Sequence, residues 1–348
     1  MKKILITYIS CIVIASITWN FIIGQCIIKV SYLEKQSKTG KHYIPYSTIT
    51  SGTEGFSRMV MDENGYNNNA GLQDGTDIIL IAGDSHTEAR QVSREKNFCS
   101  VAQNLINSKR KVHLYNIGIS GNSIADYIYY GSSYIEKFKP EKVIIQVTYD
   151  DFTSDAVNNS NDTYIINSNN NFKILRQSPD SKTEKILKTE KDKLPFFTEL
   201  FIKSNLIFAS ISNQQSRPFF PEAKIQDVNN IAEYNNSLID WEFSQIKQIY
   251  KDKAAFLYLP LNPSIDIDGS IKYDDIEEES VKSRIVEKCK EYGMDFIDME
   301  PEFNRLLADD KKFPRGFSNT KPGTGHLNEY GHYVTGVKLA EFLLNKLD

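Results

Sequence analysis

A serine and a histidine near opposite ends of this chain sit in contexts that suit acyl chemistry. Ser85 lies in IILIAGDSHTEAR (Ile78–Arg90), where an apolar run from Ile78 to Ala82 stops at Gly83-Asp84-Ser85-His86 before a polar, helix-opening stretch. A buried strand that hands a serine to a tight turn places the hydroxyl where open α/β sheets hold their ligands. His326, in Gly323-Thr324-Gly325-His326-Leu327-Asn328, precedes the last helical pattern and offers a base for that hydroxyl, with His332 one helical turn beyond. A serine activated by a histidine is the pair that acyl transfer and hydrolysis use. Two more strand ends are polar. Asn116-Ile117-Gly118-Ile119-Ser120-Gly121-Asn122-Ser123 holds glycines that let backbone N–H groups approach a developing oxyanion. Thr148-Tyr149-Asp150-Asp151-Phe152 sets two acids side by side, and with no histidine or cysteine close in sequence the pair does not read as a metal site. Each residue also has a plainer use: Ser85 as a helix N-cap, the glycines as a turn, the histidine as a core residue.

The elements that must position these residues alternate. Strands are expected at Ile78–Ala82, Lys111–Asn116, Val143–Thr148, Ala255–Leu259 and Asp295–Asp298. Helices are expected at Asn97–Asn107, Ile124–Phe138, Val228–Tyr250, Ile276–Tyr292, Glu302–Ala308 and Asn328–Leu347. Short apolar strands separated by helices predict an α/β, flavodoxin-like three-layer sandwich: a five-stranded, mostly parallel sheet with right-handed crossovers and helices on both faces. An insertion at about 154–225 breaks the rhythm, with a β-hairpin of Thr163–Asn167 and Phe172–Arg176 and then a helical stretch, Ser181–Asn213. Cys99 and Cys289 fall on helices covering opposite faces, so two buried thiols are expected and not a disulfide. The tyrosines of Tyr127–Tyr134 read as core packing, with a sugar-stacking surface as the other use.

Met1-Lys2-Lys3 precedes an almost unbroken apolar run from Ile4 to Gly24, about the length that spans a bilayer. No Ala-x-Ala site precedes Gln25, so the run reads as an uncleaved signal anchor, a cleaved signal peptide being the alternative. The leading lysines place the short tail in the cytoplasm and the remainder outside, facing the periplasm or cell surface, or secreted if the segment is cut. Residues 1–28 are thus the transmembrane segment, 29–75 a polar, turn-rich stalk followed by an entry segment that packs beside the domain, and 76–348 the domain itself. A net charge of −4 gives no general attraction to nucleic acid.

Taken in order, these residues resemble the motifs of the SGNH hydrolases, also called the GDSL esterase/lipase family. The resemblance runs from Ile78 to about Phe152 and returns around His326; the insertion shares none of it. It implies the SGNH fold, with Ser85 as nucleophile and one oxyanion donor through its N–H, Gly121 as a second donor, and His326 as general base. Asp84, Asn116 and Gly118 would support them. Two positions depart from the family pattern. Its third motif supplies an Asn side-chain donor where Asp150 stands; an ionised carboxylate would repel an oxyanion, whereas a partly apolar pocket and Asp151 could keep Asp150 protonated and donating. The family also sets an Asp two or three residues before the histidine, where this chain has Thr324 and Gly323. His326 must then be oriented by a backbone carbonyl or by an acid from elsewhere, such as Asp309 or Asp310. Together with the compartment, the resemblance implies a serine esterase without cofactor or metal that removes acyl, foremost acetyl, groups from a cell-surface or extracellular carbohydrate. The alternatives are an O-acyltransferase acting on an exopolysaccharide and a degenerate, noncatalytic domain that binds a glycan or a partner.

Overall fold

In the computed structural model, which describes residues 2–29, 31, 33–69, 76–152, 163–168, 171–176, 231–261, 264–265, 271–272 and 276–347, the apolar amino terminus is one helix, α1 (Lys2–Cys26). Its most apolar window has a mean hydropathy of 1.9, and none of that window is buried against the protein. Among the described residues it is the one helix long and apolar enough to cross a membrane. The described residues between α1 and the main sheet include short strands. These are β1 (Ile28–Lys29), β2 (Leu33–Ser37), β3 (Gly40–Tyr43), β4 (Thr48–Ser51) and β5 (Ser57–Val60), paired antiparallel as β1-β4-β5 and β2-β3. In β5 the buried Ser57 and Met59 alternate with the exposed Arg58 and Val60, so one side of that strand reaches inward. Tyr43, Ile49, Met59, Met61 and Tyr66 are buried in the same core as the main sheet.

That sheet consists of β6 (Asp77–Ala82), β7 (Val112–Asn116), β8 (Lys142–Val147), β11 (Ala254–Tyr258) and β14 (Asp295–Asp298). All are parallel, in the order β14-β11-β8-β6-β7, which is the flavodoxin-like order the alternation predicts. The helices are a single turn α2 (Ser85–Glu88), then α3 (Phe98–Asn107), α4 (Ile124–Phe138), α5 (Ile231–Tyr250), α6 (Ile276–Tyr292), α7 (Glu300–Ala308) and α8 (Glu329–Leu347). Strand side chains alternate between two cores. Leu80 and Ala82 join residues of α4, α5 and α6 on one face, whereas Ile79 and Ile81 join residues of α3, α7 and α8 on the other. Cys99 and Cys289 lie in different cores as free, buried thiols. Tyr127, Tyr130 and Tyr134 are core residues, whereas Tyr129 of the same helix is 45% exposed. In the insertion, β9 (Thr163–Ser168) and β10 (Asn171–Arg176) form the expected hairpin, while Ser181–Asn213 lies outside the described residues. A two-residue ladder, β12 (Ser264–Ile265) with β13 (Ile271–Lys272), completes the strands described.

Candidate active site

The carboxyl ends of β6, β7 and β8 converge on Ser85. Gly83 passes so close to its neighbours that a Cβ there would sit 1.9 Å from Thr87 Oγ1 and 2.7 Å from Gln146 Oε1. Asp84 caps α2 by accepting the His86 N–H at 2.8 Å, which turns the chain sharply and lifts Ser85 onto the first helical position. Gln146, from the central strand β8, accepts both the Asp84 N–H (3.2 Å) and the Thr87 hydroxyl (2.9 Å), fixing the turn to the sheet. Asn116 does the same from β7: its Nδ2 donates to Thr87 O at 2.7 Å and its Oδ1 accepts the Gly118 N–H at 2.8 Å. A side chain at Gly118 would meet Glu88 N at 2.6 Å, so this glycine allows the two turns to touch.

Gly121 follows with φ at +75°, and a Cβ there would meet nothing within 4 Å. The Ser120–Gly121 turn is held from behind. Glu88 Oε2 accepts the Ser120 N–H at 2.9 Å, Arg90 Nη2 donates to Ser120 Oγ at 3.0 Å, and the buried Lys41 of β3 donates to Gly121 O at 2.7 Å. Among the described residues, neither the Ser85 nor the Gly121 N–H is given to a protein acceptor. Two unused N–H groups at adjoining strand ends are what an oxyanion requires.

His326 enters from the opposite end of the sequence. Its Nε2 is 2.9 Å from Ser85 Oγ. Its Nδ1 is 2.5 Å from Glu54 Oε2, and its own backbone N–H donates to Glu54 Oε1 at 2.7 Å. With Nδ1–H on a carboxylate, Nε2 is left to accept the serine proton. An acid from elsewhere in the chain thus contacts the histidine, but it is neither of the two aspartates considered from the sequence. Asp309 and Asp310 are exposed at the end of α7, and Thr324 turns its hydroxyl to Lys321 O at 2.9 Å. The acid comes instead from the loop between β4 and β5, 272 residues away. Nothing local in Ser51-Gly52-Thr53-Glu54-Gly55-Phe56 marks that glutamate; the flanking glycines of a tight loop are the one signal present.

The surroundings separate charged from neutral groups. His86, next to the nucleophile, packs its ring 5.2 Å from that of His326, and Arg315 Nη1 lies 3.0 Å from its Nε2. Burial first and the Arg315 charge second push the His86 pKa well down, so this imidazole stays neutral. Arg315 is buried and ties three segments together, reaching His86, Gly325 O (3.2 Å) and Pro260 O (2.7 Å). His332 is a core residue: it stacks on Phe98 at 5.9 Å, and burial pushes its pKa down to about 3. Asp150 sits exposed in the single 3-10 turn Tyr149–Phe152 after β8. The buried acid of that turn is Asp151, whose Oδ2 accepts the Thr148 N–H at 2.9 Å. Burial, aided by the charges of Asp84 and Asp150, pushes the Asp151 pKa up to about 8. Among the described residues no group of three or more His, Cys, Asp or Glu side chains is placed to hold a metal ion.

A parallel sheet in this order, with a serine turn after its first strand, a glycine turn after its second and a histidine ahead of the last helix, fits the α/β fold that the resemblance to the SGNH hydrolases implies. No protein-family model matches the chain, and no curated protein matches it. It is similar to several solved structures. A lipase/acylhydrolase from Enterococcus faecalis is 12% identical, with 78% of this chain and 97% of that one covered and a TM-score of 0.41. An acetylxylan esterase from Geobacillus stearothermophilus is 13% identical, with 78% and 95% covered and a TM-score of 0.39. A member of the lipolytic G-D-S-L family from Veillonella parvula is 14% identical, with 77% and 99% covered and a TM-score of 0.37.

Proposed function

We propose that this chain is a serine esterase that removes acyl groups, foremost acetyl, from a carbohydrate outside the cytoplasm. The observation that carries the reading is the 2.9 Å contact between Ser85 Oγ and His326 Nε2, beside two unused N–H donors. Ser85 Oγ attacks the acyl carbonyl while its proton passes to His326 Nε2, and the carbonyl oxygen takes up negative charge facing the Ser85 and Gly121 N–H groups. Collapse of the tetrahedral species breaks the ester bond, and His326 returns the proton to the departing sugar hydroxyl. Water then attacks the acyl-Ser85 ester with His326 as base, releasing the carboxylic acid and restoring the serine. A compartment outside the cytoplasm, which the apolar α1 supports, is where acylated surface carbohydrates are found, and these steps use only the side chains and N–H groups named.

The test is covalent labelling of the full-length protein with a fluorophosphonate, together with turnover of a short-chain aryl ester. Labelling is expected at Ser85. Ser85→Ala and His326→Ala are each expected to remove nearly all turnover, and the double variant to be little worse than either, because the two side chains act as one unit. Turnover that survives in Ser85→Ala overturns the mechanism. Release of free acetate from an O-acetylated polysaccharide is expected from the wild type; transfer of the acetyl group to an added sugar in place of its release would make the chain an acyltransferase.

A further inference from the structure

We propose that Glu54 is the positioning residue that orients His326 for the reaction, so that the N-terminal β-segment is part of the catalytic unit. The inference rests on the reading of Ser85 and His326 as nucleophile and base. Glu54 grips one residue twice, its Oε1 on the His326 backbone N–H at 2.7 Å and its Oε2 on Nδ1 at 2.5 Å. A carboxylate holding both backbone and ring fixes the ring's rotation and its tautomer together, which is the work of the acid in a serine triad.

The approach is built from both sides. Gly325 has φ at +80°, and a Cβ there would lie 2.2 Å from Glu54 Oε1, so the residue before the histidine is one that admits this carboxylate. The Glu54 loop is also held by contacts that do not involve the histidine. Asn319 Oδ1 accepts the Gly55 N–H at 2.9 Å, and its Nδ2 donates to Gly52 O and Gly55 O at 3.1 Å each. A Cβ at Gly52 would lie 2.8 Å from Ile27 O, and one at Gly55 would lie 2.8 Å from the Phe317 ring, so the loop is backed on two sides. The carboxylate is therefore placed before the histidine meets it, as preorganised orientation requires. A glutamate that only tied two loops together would have no reason to sit on the ring nitrogen opposite the nucleophile.

Glu54→Gln in the full-length, detergent-solubilised protein separates the two roles. The amide keeps the shape and can still bond the loop, but it no longer fixes the proton on Nδ1. Ester kcat is expected to fall by at least about 100-fold with KM changed less than about threefold, while the thermal transition stays near that of the wild type. Glu54→Asp, which keeps the charge, is expected to retain intermediate turnover. Proton NMR supplies a readout that a structural tie would not move. A strongly downfield imidazole N–H resonance is expected in the wild type and in Ser85→Ala, and it should vanish in Glu54→Gln. Wild-type turnover in Glu54→Gln, with Ser85→Ala inactive, overturns the role of Glu54 and leaves the esterase standing. Turnover that persists in Ser85→Ala overturns the esterase reading, and this inference with it. If Glu54→Gln does not fold, Glu54→Asp decides: turnover below wild type supports the role, and a downfield resonance absent from both wild type and Ser85→Ala overturns it.

Discussion

Two adjacent acids follow β8, and their environments differ. Asp150 is exposed, whereas Asp151 is buried beside Asp84 and hydrogen-bonded to the Thr148 N–H. Glu242 of α5, also buried, has both carboxylate oxygens unpartnered; burial first and the Asp151 charge second push its pKa well up. Asp151 holds its proton up to about pH 8 in the folded chain, against an ordinary value of 3.8. Between those values the folded state binds more protons than the unfolded chain, so stability is fully present below the ordinary carboxylate range and is lost as pH rises towards about 8. Asp151→Asn, neutral at every pH, is expected to melt near the wild type at about pH 4 and clearly above it at about pH 8.5. Thermal melts of the two proteins across that range check the sign, and a constant difference would mean that Asp151 is ionised throughout. The neighbouring position also explains what reading the motif alone left open. An acid kept neutral by an apolar pocket does exist at this strand end, but it is Asp151, one residue past the position where the family carries its asparagine.

At the scale of elements, the main sheet was legible and the N-terminal strands were not, for one physical reason. The five parallel strands are buried on both faces, so Ile79 to Ala82 or Val143 to Ile145 read as continuous apolar runs. The β4–β5 pair is four residues to a strand, too short for a pattern to rise above a polar background. Ser85 and His326 were legible because each borders a strong element; Glu54 was not, because its partner is distant in sequence and its own strands are weak. The same weak strands carry a second group towards the site. Lys41 of β3 is 5% exposed, donates to Gly121 O, and stands 3.5 Å from Asp126 Oδ2, which is 1% exposed. Lys41→Met takes the buried ammonium away from that carboxylate and is expected to cost about 3 kcal/mol, measured by urea melts. It should also lower ester turnover by loosening the Gly121 turn. Lys41→Met with Asp126→Asn is expected to regain most of the stability, since the buried carboxylate charge is then gone. Equal stability of Lys41→Met and the wild type would show that the ammonium contributes nothing at this position.

For the whole molecule, the apolar α1 sets the expectation that the full-length protein stays in the membrane fraction through carbonate washing. Protease added to intact spheroplasts should then digest the folded domain, and recovery of a soluble form beginning near Gln25 would replace the anchor by a cleaved leader. A further consequence follows from how little chain separates the helix from the domain. A fully extended run of residues 29–75 would give the domain a leash of roughly 160 Å. The described residues of this segment instead form short paired strands. Cys26 ends α1, Ile27 follows, and Ile28 already pairs with Ser51 in β4, three residues before Glu54. A domain of this size has a radius of gyration of roughly 20 Å. With α1 seated in a bilayer, Ser85 would therefore sweep a shallow layer of about that depth over the lipid headgroups. Within that layer it would act on esters held close to the membrane surface.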